Sequence, residues 1–300
     1  MGSTASQAGS PAFITPEDLL RQQAAVAASP RGALLIAACR SGTYLARRVV
    51  RCYEGLLAIA GSAGRVGLVD DIDEAISGGG RPTAASPCGA GRVGLVDDID
   101  FEFANGETCV RLLRHVSGCD VFLCQALCDP VAGRSVDQNY LALLIAARAC
   151  REHGANHVTA VLPYLAYGRQ DKPSEGKREP TTARLMADLS AAAGIDRLVA
   201  WHAHCGQLRG FYGAMPAHLL GPVGLFVAEF AAFRGRRDAI AVAPDAGASG
   251  LVTTFGRALD LACAIGSKHR PRTDEAEVWQ VIGDFSGKRV AVVLDDELGT

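Results

Sequence analysis

The chain has 300 residues, of which 49% are hydrophobic and 21% charged, and its formal net charge is −2. This length and hydrophobic content are enough to bury one large core or two medium ones, which excludes a disordered chain. The near balance of charge excludes a global positive field for nucleic acid or an anionic membrane, so any anion site must be local. No uninterrupted apolar stretch reaches the roughly 18 to 20 residues of a membrane-spanning helix, so we expect a soluble protein.

The cysteines indicate a reducing compartment. Ten of them are scattered through apolar runs, without a CxxC pair, the spacing of zinc ligands or a preceding signal peptide. Such a distribution is typical of reduced thiols rather than of a disulfide framework or a metal site. We therefore expect a cytoplasmic protein.

The apolar pattern predicts an α/β fold. Residues 1–30 are expected to form a polar extension with a short helix, because Thr15 suits an N-cap and Pro16 a first helical position. From Gly32 onward, short apolar runs alternate with longer segments of helical period, which is typical of mostly parallel sheets flanked by helices. The predicted strands are ALLIAA, DVFLCQAL, HVTAVLPYLAY, RLVAWHAH, AIAVAPDAG, CAIGSK and RVAVVLDD, and two of the predicted helices are SVDQNYLALLIAARACREHG and TTARLMADLSAAAG.

An exact repeat interrupts this alternation. The segment AGRVGLVDDID occurs at residues 63–73 and again at 90–100. One interpretation is a doubled acidic site for a metal or a ribose. The second is a tandem duplication or an error in the deduced gene, with a Gly/Pro/Ser-rich surface loop between the copies. We favour the second interpretation, because only one copy can precede the same following strand.

The densest group of polar residues lies between Leu162 and Leu189. Residues 169–172 are Arg, Gln, Asp and Lys, and they follow a predicted strand closely; residues 177–179 are Lys, Arg and Glu, and they lead through Pro180 into a predicted helix. Because ligands of parallel sheets collect at the carboxyl ends of strands, these groups are well placed for binding. Cations on a loop ahead of a helix N-terminus predict a polyphosphate site.

Several short motifs identify a family when they are taken together and in order. They are FANGE, YGRQDK, KREPTTARL, HCGQLRGFYG, APDAGA, SKHR and VVLDDELGT. With these motifs, the chain from about residue 101 to its end resembles the ribose-phosphate pyrophosphokinase family, which makes phosphoribosyl pyrophosphate. The resemblance implies two phosphoribosyltransferase-type α/β domains, with the active site between them and between subunits of a homo-oligomer, commonly a hexamer.

The resemblance also implies a reaction and a domain order. The family transfers the diphosphoryl group of ATP to ribose 5-phosphate with Mg²⁺, which yields phosphoribosyl pyrophosphate and AMP. An ATP-binding domain is expected over residues 31–214, with the duplicated insert near 63–100, and a ribose-5-phosphate-binding domain over residues 215–300. Gly and Pro residues around position 215 suit the boundary. Neither a nucleic acid nor a membrane is expected as a partner.

The motifs that resemble the family's ATP site contain six candidate residues. By the resemblance, the ATP-binding residues are Phe103, Asn105, Glu107, Arg169, Gln170 and Asp171. Phe103 and Glu107 correspond to the adenine end of the site, and Asn105 stands where the family usually has Asp. An amide oxygen still accepts a hydrogen bond, so we expect weaker or altered nucleotide selection rather than loss.

The catalytic and metal residues follow in the same way. His204 corresponds to a histidine that helps to hold Mg-ATP, and Lys268 and Arg270 correspond to a loop that closes on the transferring phosphoryl groups. His202 stands where the family has Asp; imidazole is a poor ligand for Mg²⁺, and a purely structural role for His202 is an equal alternative. Asp245 is the second expected metal residue.

The ribose 5-phosphate site is expected at the end of the chain. Asp245 should contact the ribose side, although an Asx turn is the alternative role for it. Asp295 and Asp296 correspond to carboxylates that hold ribose hydroxyls, and Thr300 to the first residue of a T-G-G-T phosphate turn. The rest of that turn is absent, so we expect a truncated, incomplete second domain.

Two other functions stay open at this point. The first is a catalytically impaired homologue that acts as a regulatory or structural subunit of the synthetase assembly, which Asn105, His202 and the missing turn favour. The second is a phosphoribosyltransferase that acts on a base, which shares the acidic strand end but does not account for FANGE, RQDK and KREP together.

Overall fold

The computed structural model describes residues 34–59, 93–129, 131, 133–174, 176–201, 203–272 and 275–296. The chain divides between His218 and Leu219 into two compact units, here called the N-terminal unit and the C-terminal unit. The predicted N-terminal helix, the first copy of the repeat, His202 and Thr300 lie outside the described residues.

A six-stranded sheet organises the N-terminal unit, in the order β2-β1-β5-β6-β7-β8. A separate two-stranded sheet pairs β3 with β4. The strands are β1 Leu34–Ala38, β2 Val93–Val96, β3 Asp100–Glu102, β4 Thr108–Val110, β5 Asp120–Cys124, β6 His157–Leu162, β7 Arg197–Trp201 and β8 Ala217–Leu220, which crosses the boundary between the units; the helices are α1 Thr43–Ile59, α2 Val136–Glu152 and α3 Thr182–Ala193.

The register of the large sheet brings several strand ends to one edge. β1 pairs in parallel with both β2 and β5, and the parallel pairing continues from β5 to β6 and from β6 to β7. Strand residues such as Ala38, Leu123 and Ala160 are fully buried, as expected for strands covered on both faces. The segments that follow β1, β5, β6 and β7 therefore lie at the same edge of the sheet, where ligands of such folds bind.

Local sequence explains how α2 begins and which face it buries. Ser135 is its N-cap and forms a capping box with Gln138: the Gln138 N–H donates to Ser135 Oγ over 3.1 Å, and the Ser135 N–H donates to Gln138 Oε1 over 2.8 Å. Its buried apolar residues recur at helical spacing and include Leu143, Ala146 and Cys150. The predicted helices at α2 and α3 are both confirmed.

A mixed sheet organises the C-terminal unit, in the order β11-β10-β9-β12. β9 pairs in parallel with β10 and β12, whereas β10 and β11 form an antiparallel hairpin. The elements are α4 Val223–Glu229, β9 Ala239–Ala243, α5 Ser249–Leu259, β10 Ala262–Arg272, β11 Glu275–Ile282 and β12 Val290–Val293.

The predicted α/β class, with parallel sheets flanked by helices, is confirmed. All seven apolar runs that were predicted as strands contain one: β1, β5, β6, β7, β9, β10 and β12. The predicted run CAIGSK continues further than expected, because pairing with β11 extends β10 to Arg272. Among the described helices, none is long and apolar enough to cross a membrane.

Candidate nucleotide and ribose phosphate sites

The loops after β6 and β7 lie next to each other in the N-terminal unit. The Cys205 thiol donates to Asp171 Oδ2 over 3.4 Å, and a Cβ atom added to Gly168 would lie 3.8 Å from Cβ of His204. Arg169, Gln170 and His204 are exposed. The structure therefore brings the predicted RQDK segment and His204 together at the edge of the sheet where β6 and β7 end.

Tyr167 shapes the start of this RQDK loop. Its φ of 62° is left-handed, a conformation that bulky residues rarely adopt and that its surroundings must hold in place. The Tyr167 hydroxyl donates to Asp137 in the first turn of α2, and its ring meets Tyr140 edge to face at 6.2 Å between centroids. The bond to Asp137, followed by desolvation, raises the pKa of Tyr167 to about 12. Sequence reasoning missed both Tyr167 and Asp137.

The polar loop between β6 and α3 closes on itself. Glu179 Oε2 accepts both the Ser174 N–H over 2.9 Å and the Ser174 hydroxyl over 2.6 Å, and Lys177 Nζ lies 3.9 Å from Glu179 Oε1. The bonds from Ser174 lower the pKa of Glu179. Glu179 thus has a structural role in the loop, while the side chains of Lys177 and Arg178 are exposed ahead of α3. This arrangement leaves the exposed Arg178 close to a helix N-terminus, with Lys177 paired to Glu179 beside it.

The FANGE segment forms the tip of the β3–β4 hairpin. The Phe103 N–H donates to the Glu107 carbonyl over 2.9 Å, and Asn105 Oδ1 accepts the Glu107 N–H over 3.1 Å. Gly106 supplies the positive φ of 86° that this turn needs. The Phe103 side chain is 51% exposed at the tip. Asn105 therefore shapes the loop, and the Asp that is usual in the family could accept the same bond.

The carboxylates of the described repeat copy bind neighbouring segments. Asp97 accepts from Nε of Arg47 over 2.8 Å, Asp98 accepts from the Thr43 hydroxyl over 3.0 Å, and buried Asp100 accepts the Arg40 N–H over 2.5 Å; these three partners lie directly after β1 or within α1. These carboxylates hold α1 and the segment that connects it to β1. The described copy therefore has a structural role rather than that of a metal or ribose site.

A buried polar network, also missed from the sequence, joins the segments after two strands to α2. Asn139 accepts the Ser41 hydroxyl over 3.0 Å at its side-chain oxygen, and its backbone carbonyl accepts from Gln125 Nε2 over 3.0 Å. Asn139 Nδ2 also donates to the Leu127 carbonyl over 3.4 Å. Within the described residues Gln125 Oε1 has no hydrogen-bond donor. This network fixes the start of α2 relative to the loops after β1 and β5.

Acidic residues collect at one edge of the C-terminal unit. Asp245 follows β9, and Asp295 and Asp296 follow the adjacent parallel strand β12. Asp245 Oδ1 accepts the N–H groups of Gly247 and Ala248 over 2.9 and 3.3 Å, so the predicted Asx-turn role is present. Burial, and then the nearby charges of Asp296 and Asp245, raise the pKa of Asp295. A bound cation or hydroxyl donors would relieve this repulsion.

The remaining predicted site residues are only partly described. Lys268 and Arg270 lie in β10, where the Lys268 backbone is opposite Val278. Within the described ranges, no group of three or more His, Cys, Asp and Glu side chains is arranged to hold a metal ion. The carboxylate oxygens of the acidic edge are nevertheless the ligand type that Mg²⁺ prefers, whereas the imidazole of His204 is not.

The arrangement is that of an α/β protein whose predicted binding loops follow parallel strands. Residues 91–194 match the family described as the N-terminal domain of ribose phosphate pyrophosphokinase. The predicted resemblance to the ribose-phosphate pyrophosphokinase family is therefore confirmed.

Individual relatives agree with this resemblance. The chain is similar to ribose-phosphate pyrophosphokinase of Clostridium perfringens, with 36% identity over 202 residues that cover 66% of this chain and 60% of the relative. It is also similar to ribose-phosphate pyrophosphokinase 1 of Spinacia oleracea, with 39% identity over 66% of this chain and 57% of the relative. The chain thus spans about three fifths of the length of these curated relatives.

A solved structure extends the comparison to the fold. The phosphoribosylpyrophosphate synthetase of Mycobacterium smegmatis superposes with a TM-score of 0.61 and 26% sequence identity, over 88% of this chain and 71% of that one. The likeness therefore reaches beyond the residues that match the family description.

Proposed function

We propose that this chain transfers the diphosphoryl group of ATP to ribose 5-phosphate, which yields phosphoribosyl pyrophosphate and AMP. The main support is the meeting of the RQDK loop with His204 at the edge where β6 and β7 end. This edge lies partly within the region that matches the family, since residues 91–194 include the RQDK loop.

The N-terminal unit is proposed to bind ATP. Phe103 and Glu107 at the hairpin tip would contact the base, and the exposed Arg169 and Gln170 would contact the phosphates. A guanidinium group suits phosphate recognition because its N–H groups can donate two parallel hydrogen bonds. Diphosphoryl transfer depends mainly on positioning and charge neutralisation, which such groups can supply.

The C-terminal unit is proposed to bind ribose 5-phosphate at the acidic edge. Asp295 and Asp296 would accept hydrogen bonds from the ribose hydroxyls, and Thr300 would begin the phosphate turn. Lys268 and Arg270 would stabilise the negative charge on the transferring group. We propose residues 31–214 as the ATP-binding domain and residues 215–300 as the ribose-5-phosphate-binding domain.

Mg²⁺ is the proposed cofactor, with Asp245 and His204 as the predicted residues for the metal or for its ATP complex. The chemistry that Mg²⁺ would supply there is neutralisation of phosphate charge. The other carboxylates of the acidic edge fit this ion by their chemistry. We further propose a homo-oligomer, hexameric by family resemblance, in the cytoplasm. Every described cysteine is a free thiol, which suits that compartment.

Formation of AMP from ATP, Mg²⁺ and ribose 5-phosphate tests the proposal. AMP should form only when both substrates are present, and Arg169→Ala should lower the rate at least about tenfold because it removes a phosphate contact. Arg184→Ala is the matched control, since Arg184 forms an exposed pair with Asp188 on α3. AMP formation that is independent of ribose 5-phosphate would contradict the proposal, and ATP binding without turnover would support the regulatory or structural subunit.

A further inference from the structure

One arginine holds both strands of the hairpin that carries FANGE. The Arg134 side chain is 7% exposed; its Nη1 contacts Asp100 Oδ2, its Nε donates to Glu102 Oε1 over 3.0 Å, and its Nη2 donates to Thr108 Oγ1 over 3.3 Å. Asp100 and Glu102 are the first and last residues of β3, and Thr108 begins β4. A single guanidinium group therefore contacts the hairpin at three positions.

The hairpin also packs along α2, and the Arg40 N–H donates to Asp100 Oδ1 at its base, but it is too short to be stable alone. Each of its strands has three residues, and they form a two-stranded sheet apart from the main one. A two-stranded hairpin of this size is marginal alone and needs packing or anchoring. Its base is joined to β1 through the Ile99 N–H, which donates to the Ala38 carbonyl over 3.3 Å. The tip with Phe103 lies beyond that attachment.

Arg134 also connects the hairpin to a rigid part of the unit. It directly precedes Ser135, the N-cap of α2, and the same first turn contains Asp137, which binds Tyr167 of the RQDK loop. The start of α2 thus contacts both predicted ATP-binding loops, the hairpin through Arg134 and the RQDK loop through Asp137. The two loops are held by residues three positions apart at the start of α2.

We propose that Arg134 is a positioning residue that holds Phe103 and Glu107 in place for the nucleotide. This inference rests on the proposed function, because it takes the hairpin tip to be part of an ATP site. Lysine could keep the positive charge beside Asp100 but has no planar fork to bind Asp100, Glu102 and Thr108 together. The position therefore requires arginine for its geometry as well as its charge.

The test compares Arg134→Lys with wild type in the 300-residue chain, with Arg184→Lys as the control for a solvent-exposed arginine of the same unit. Hydrogen exchange of peptides covering residues 100–111 reports the order of the hairpin, and calorimetric titrations measure the affinities for ATP and ribose 5-phosphate. In the Arg134→Lys variant, hydrogen exchange of the hairpin should be about tenfold faster. The variant should also bind ATP about tenfold more weakly, which equals about 1.4 kcal/mol of binding free energy. Its affinity for ribose 5-phosphate should change less than twofold.

Different results separate the inference from the proposed function. A wild-type chain that does not bind ATP would overturn the proposed function and the positioning role with it. A wild type that binds ATP, together with an Arg134→Lys variant of unchanged ATP affinity, would overturn the positioning role alone. Thr108→Val keeps the Arg134–Asp100 pair and so guards against a folding defect. Its effects on hairpin exchange and on ATP affinity should be about a third as large as those of Arg134→Lys. A Thr108→Val variant with wild-type exchange and affinity would also count against the positioning role.

Discussion

Tyr167→Phe removes one hydroxyl from the loop that carries Arg169 and Gln170. The ring can keep its edge-to-face contact with Tyr140, so the change isolates the hydrogen bond to Asp137. Hydrogen bonds to charged groups contribute about 1.5 to 3 kcal/mol when they are buried. Tyr167 is only partly buried, and solvent screening lowers that range, so we expect a loss of about 0.5 to 1 kcal/mol in the free energy of unfolding.

The same bond predicts a pH dependence at alkaline pH. The pKa of Tyr167 is about 12 in the folded protein, against an ordinary value of 10.0. Because the folded state retains the proton more strongly, the contribution to stability is complete below pH 10 and is lost as the pH rises through about 12. In Tyr167→Phe, this contribution to the loss of stability at alkaline pH should be absent.

Urea unfolding at pH 8 and across the range from pH 9 to 11 measures both effects. Tyr53→Phe is the matched control, because Tyr53 lies on α1 with 37% of its surface exposed. Equal stability of Tyr167→Phe and wild type at pH 8, with the same alkaline slope, would show that the hydroxyl does not hold the loop.

Three further changes probe the helix start, the hairpin and the acidic edge. Ser135→Ala removes the N-cap of α2 and should lower the free energy of unfolding by about 1 kcal/mol, measured by the urea midpoint at constant slope; an unchanged midpoint would contradict the role of the cap. Asn105→Asp retains the acceptor for the Glu107 N–H, so thermal stability should hold while the ratio of ATP to GTP affinity rises about threefold in titrations, as expected for altered selection by the amide. Asp295→Asn should raise thermal stability at pH 7, because the raised pKa means that the ionised carboxylate is disfavoured in the folded state, yet it should weaken ribose 5-phosphate binding about tenfold; a gain in stability with unchanged binding would remove Asp295 from the site.

Seven strands of the two units could be predicted because burial leaves a direct mark on their sequence. β5 and β6, for example, are apolar runs that are covered on both faces, and their lengths suit buried parallel strands. The α2 helix has both a capping box and a periodic apolar face. Since ligands bind where such strands end, the RQDK segment and His204 could be expected at one edge from the sequence alone.

The contacts that hold the site together could not be predicted in this way. Arg134 and Asp100 are 34 residues apart, and Tyr167 and Asp137 are 30 apart, so neither pair has a local spacing to mark it. The β3–β4 hairpin has only three residues in each strand, which is too short for a clear alternation of polar and apolar residues. The sequence identified the groups suited to a ligand, whereas tertiary contacts determine which carboxylates are already engaged, as Asp97, Asp98 and Asp100 are.

The fate of the β-phosphorus of ATP tests the central claim most directly. The chain would be given ATP labelled at that atom together with Mg²⁺ and ribose 5-phosphate, and a second version would be extended by a homologue's phosphate turn and final domain elements. The proposed reaction predicts that the label moves into a ribose-bound diphosphate while unlabelled AMP forms in equal amount. Label found in ADP or in free diphosphate, in either version, would contradict diphosphoryl transfer to ribose 5-phosphate.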